Sequence, residues 1–135
     1  LMSPEKGMVE TVLDVTASLF DFMKAHQGEI RLLLEIAANR ADLLEKYKDV
    51  TGTIMSGALA RHNDRLKEAV KDGIIASVTM EELLSEIVLT DYSAFALMPM
   101  ISFVYGDDAV KIDAFLSRQR EKAVQRMRDF LRPRQ

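Results

Sequence analysis

Few residues in this chain could carry out covalent or metal chemistry. The sequence holds two histidines, His26 and His62, and no cysteine, which excludes disulfides, thiolate nucleophiles and cysteine-ligated zinc. A serine or threonine nucleophile needs a base and an orienting acid, and neither histidine sits in a recognisable nucleophile turn. His62, Asn63 and Asp64 are consecutive, so on a helix they point to different faces rather than at one ion. Glycine spacing forms neither a phosphate loop nor a dinucleotide fingerprint. The expectation is a protein that is not an enzyme, with no catalytic residue, no metal site and no cofactor.

Two polar residues set into apolar stripes are more informative. His62 lies between Leu59 and Leu66, and Asp91 lies between Ile87 and Phe95. A charged group on a buried face needs a partner. Two roles fit each residue: pairing inside the protein, or orienting a ligand in a mostly apolar cavity. On the second reading Met55, Tyr92, Phe95, Met98 and Met100 form the wall, because methionine adapts to irregular shapes; on the first they are plain core.

The elements that must position these residues are helical. Ser3-Pro4 is a helix start, and apolar residues recur at Met8, Val12, Val15, Leu19 and Phe22, predicting a helix over 4–26 that Gly28 closes. Ile30, Leu33, Leu34 and Ala37 continue in helical register, with a possible break at residues 39–42 before Leu43, Leu44 and Tyr47. After Thr51-Gly52 a stripe of Met55, Leu59, His62, Leu66 and Val70 ends at Gly73, with Ile74 placed for the hydrophobic contact beyond a glycine cap. Thr79 and Glu82 match a capping box that opens a long helix, which Pro99 should kink and Gly106 should end. Asp107 or Asp108 then caps a last helix that runs to Pro133, antiparallel to the one before it. No strand pattern, internal repeat or low-complexity tract interrupts this series. The fold class is therefore all-α, a bundle of five to six helices in a single domain over 1–135.

Bulk composition agrees with that reading. A chain of 135 residues with 48% hydrophobic and 29% charged residues is large enough to bury roughly two-thirds of its unfolded surface. No apolar run reaches the ~20 residues of a membrane span, and the first residues lack the pattern of a secretory signal, so the expectation is a cytoplasmic protein with no membrane partner. The net charge of −3 is uneven: residues 117–135 carry +5 and residues 1–116 carry −8. The basic segment reads either as a nucleic-acid patch or as cations that complement a helix C-terminus and solvate its outer face.

Apolar residues from Ala94 to Tyr105 cover nearly every face of their helix, more than one small bundle can hide, which points to a partner surface. Two helical hairpins built from the last two long helices could pair as a four-helix dimer interface. Its expected residues are Ile101, Phe103 and Val104 with Ile112, Phe115, Leu116, Ala123 and Met127.

The order of elements resembles the C-terminal regulatory domain of the TetR family of transcriptional regulators. The resemblance rests on residues 29–35 (EIRLLLE), on 66–75 (LKEAVKDGII) and on 78–84 (VTMEELL), and it extends over most of the chain. It implies a homodimer through the last two helices and a cavity for a small, largely apolar effector enclosed by the preceding ones. DNA would be reached only through an N-terminal helix-turn-helix, which does not precede residue 3 here. A different class of function, a helical adaptor that receives a partner's helix in an apolar groove, is the alternative.

Overall fold

The computed structural model describes residues 7–43, 45, 60 and 62–134. The expected start at Ser3-Pro4, the break at Thr51-Gly52, and Met55 and Leu59 lie outside the described residues.

Every described element is a helix. α1 spans Met8–Ala25, α2 spans Gln27–Asn39, α3 covers 62–71, α4 spans Met80–Ala96, α5 spans Met98–Val104 and α6 spans Ala109–Leu131. The caps follow from local chemistry. The Thr79 hydroxyl accepts the Glu82 N–H at 3.1 Å, and the Asp108 carboxylate accepts the N–H groups of Val110 and Lys111 at 3.0 and 3.2 Å, so Asp108 rather than Asp107 starts α6. Gly73 and Gly106 take positive φ angles of 73° and 61°, the left-handed turn that ends a helix at little cost to glycine.

Three expectations shift. Gly28 caps nothing: α1 ends at Ala25, the chain turns at His26, and Gly28 falls in the first turn of α2. Ile74 stays 55% exposed, whereas Ile75 is 2% exposed. The Ala76 N–H donates to the Leu131 carbonyl at 2.9 Å, drawing the segment after Gly73 against the end of α6, and the inward position comes one residue late. Pro99 does not kink one long helix but sits in the first turn of a new one, where its missing N–H is not needed; α4 and α5 meet at Leu97 with a bend of 41°.

α1, α4 and α6 pack mutually and form the frame. Their directions can be read from the residues they share. Met8 at the start of α1 and Met80 at the start of α4 pack with Met127 and Leu131 at the end of α6, in a cluster completed by Leu66, Ala69 and Ile75. At the other end Phe20 and Met23 of α1 and Phe95 of α4 pack with Leu116 and Ala123 of α6 and with Met98 of α5. α1 and α4 are therefore parallel, and α6 returns antiparallel to both. Among the described helices none by itself is long and apolar enough to cross a membrane.

Candidate functional site

Three features of this frame bear on function: a groove beside α2, an apolar face on α5, and a buried acid between the two core clusters.

The groove, about 270 Å³, runs between α2 and the junction of α4 with α5. Ile30 and Leu34 of α2 face Tyr92, Phe95, Ala96 and Pro99, while Gln27, Arg31, Glu35 and Asn39 supply polar groups along one side. Its floor is rigid because Phe95 stacks obliquely on Phe20 in the core, with ring centroids 4.9 Å apart. Its other wall is lightly held: no residue of α2 is buried, although the helix carries Leu32, Leu33, Leu34 and Ile36. An apolar lining with convergent polar groups is the arrangement that binds small organic molecules.

The apolar face lies on α5 and the start of α6. Phe103 is 86% exposed, and Met100, Val104 and Val110 are exposed as well. The spacing of Met100, Phe103 and Val104 places them on one side of α5, opposite the buried Met98, with half-buried Ile101 between the two sides.

Asp91 is 0% exposed, and neither of its carboxylate oxygens has a hydrogen-bond partner among the described residues. The other buried polar residues differ, since the hydroxyls of Thr11 and Thr16 donate to carbonyls four residues back, at 3.0 and 2.8 Å. Near Asp91 the guanidinium of Arg120 on α6 grips the carboxylate of Asp21 on α1 through two bonds of 2.8 and 3.0 Å. Burial, reinforced by the negative charge of Asp21 and opposed by Arg120, pushes the Asp91 carboxyl up to about 7 from an ordinary value near 3.8.

The residues expected to form a ligand site are only partly brought together. Tyr92 and Phe95 line the groove; Met98 is buried behind it, and Met100 faces outward from α5 instead of forming a wall. Asp91 points into the seam of α1, α4 and α6 rather than lining the groove. His62 is half-buried on α3, with its Nδ1 3.5 Å from Arg65 Nη1, and does not line the groove either. Of the residues expected at a dimer interface, Phe103 and Val104 are exposed, Ile101, Ile112 and Phe115 are half-buried against the second core cluster, and Leu116, Ala123 and Met127 are packed within a single chain. Those last three have no surface left to offer a second copy. Their stripe is apolar because it faces α1 and α4, while the outer face of α6 carries Arg118, Lys122, Arg126 and Arg128.

The sequence pattern does not mark Arg31, Val110 or the Asp21–Arg120 pair, and it offers Met100 as a wall residue, whereas Met100 is exposed on α5. The helical spacing of Met100 with Phe103 and Val104 is visible in the sequence, but Asp21 and Arg120 are 99 positions apart and carry no local signal. No group of three or more metal-ligating side chains occurs among the described residues. In comparison with known proteins, no family model, no curated protein and no solved structure matches this chain.

Proposed function

We propose that this chain is the effector-sensing, dimerising domain of a transcriptional regulator of the TetR type, acting on DNA through a helix-turn-helix domain outside residues 1–135. One observation carries the reading: Met100, Phe103, Val104 and Val110 are the four most exposed large apolar side chains among the described residues, and they fall within one short stretch of chain. Exposed patches of this kind mark partner surfaces. A second copy is the natural occupant, since a twofold contact repeats one self-complementary patch.

The groove supplies the sensing half of the reading. Pro99 lines it while Phe103 and Val104 leave the same short helix on its outer side, so a ligand pressing on Pro99 acts on the helix that holds the dimer face. The effector would be small and largely apolar, lying on Phe95 and Tyr92 with its polar end toward Arg31 or Gln27. Such a molecule shifts the protein only as far as it binds one arrangement of α2 and α5 better than another.

Sedimentation at micromolar concentration tests the reading, with a dimer expected and a strict monomer overturning it. A second reading, an adaptor that takes a partner's helix, is favoured by the lightly held α2, none of whose apolar side chains is fully buried and whose Leu32 and Leu33 are more than half exposed. Saturable binding of an apolar dye that Phe95→Ala weakens while the dimer persists supports the sensor over the adaptor.

A further inference from the structure

Asp91 is a group that the proposed sensing does not use. A carboxyl with two unpartnered oxygens and no exposure is stable only while it holds a proton, because a buried carboxylate without hydrogen bonds is strongly disfavoured. The charged groups that act on it come from both helices packed against it: Asp21 from α1 and Arg120 from α6. These two are committed to each other, and their bidentate pair ties α1 to α6 across the outside of the seam.

We propose that Asp91 is a proton-binding site that controls this tie. While the carboxyl is neutral, Arg120 stays on Asp21 and the three helices remain closed over Asp91. When the proton leaves, the new buried charge draws Arg120 away from Asp21, and the cross-link between α1 and α6 is exchanged for one between α4 and α6. The balance is one proton released to solvent and one cation shared between two carboxylates, with no other reactant. Because Asp21 lies in the last turns of α1, the exchange would change how firmly the end of α1 and its junction with α2 are held to the frame. The usual carboxylate range would leave such a switch permanently thrown at neutral pH; the position of Asp91 in the seam brings it near 7.

The sign follows from proton counting. Between about pH 4 and 7 the native chain holds a proton that the unfolded chain has released, so stability falls as pH rises through that window. Thermal unfolding of the full chain from pH 5 to 8 is expected to show the melting temperature dropping by roughly 5–10 °C, and Asp91→Asn is expected to flatten that slope. Carbon-13 NMR of the aspartate carboxyls reads the same event in the unaltered protein, so the test survives a variant that fails to fold. Amide resonances of residues 16–24 should move with the midpoint of the Asp91 carboxyl and stand still in Asp91→Asn. Arg120→Gln should raise that midpoint, because it removes the attracting cation. An Asp91 carboxyl that titrates near its ordinary value, α1 amides that do not respond, or a midpoint unmoved by Arg120→Gln would each overturn the proposal.

Discussion

α5 and α6 are adjacent in sequence and opposite in logic. α5 is almost wholly apolar, yet among its seven residues only Met98 is buried; α6 is rich in charge, yet Leu116, Ala123, Met127 and Leu131 are all buried. Apolarity alone therefore does not tell which helix forms the core. What matters is whether the apolar residues fall on one stripe that other helices can cover: α6 keeps its stripe narrow and solvates the rest, whereas α5 is apolar on more sides than α4 and α6 can reach. Burial thus follows the arrangement of the apolar residues rather than their number, and α5 is the helix on which the proposed partner contact rests.

Substitutions on the two helices should separate these roles. The largest effect belongs to Met127→Ala on α6: Met127 is fully buried between the starts of α1 and α4, and its truncation should cost about 2–5 kcal/mol, read by denaturant unfolding. A loss below ~1 kcal/mol would mean that α6 is not the central strut. Next comes Phe103→Ser on α5, which should weaken self-association at least about tenfold in sedimentation, as loss of an exposed aromatic anchor does. It should leave the melting temperature at low protein concentration within a degree or two, and unchanged association would exclude α5 from the proposed dimer face. Asp108→Ala, at the joint between the two helices, should cost about 1 kcal/mol by freeing the N–H groups of Val110 and Lys111. Smallest is Asp113→Asn, which breaks the exposed 2.6 Å pair with Lys24; it should change stability by less than about 1 kcal/mol, and less again at high salt.

Much of the frame was legible before the structure. The Thr79 cap, the left-handed turns at Gly73 and Gly106, the end of the last helix before Pro133 and the interruption near Arg40 are all local events, written in residues within a turn of each other. Where expectation slipped, it slipped by small offsets: Ile75 for Ile74, and a break at Leu97 ahead of Pro99. The site was legible only in outline. Tyr92 and Phe95 do meet in a groove and Asp91 is buried, but the groove's second wall is α2, which periodicity had marked only as a further helix.

Helicity, most helix starts and stops, and the apolar stripes are all written in local sequence. These are set by hydrogen bonds and side-chain contacts across three or four positions, and such contacts do not depend on what lies far along the chain. That the stripe of α6 faces α1 and α4 while part of α5 is left bare, and that Asp21 and Arg120 meet near Asp91, follows from packing between distant segments. Those outcomes depend on which helix covers which, and so on the packing of the whole frame rather than on any local pattern.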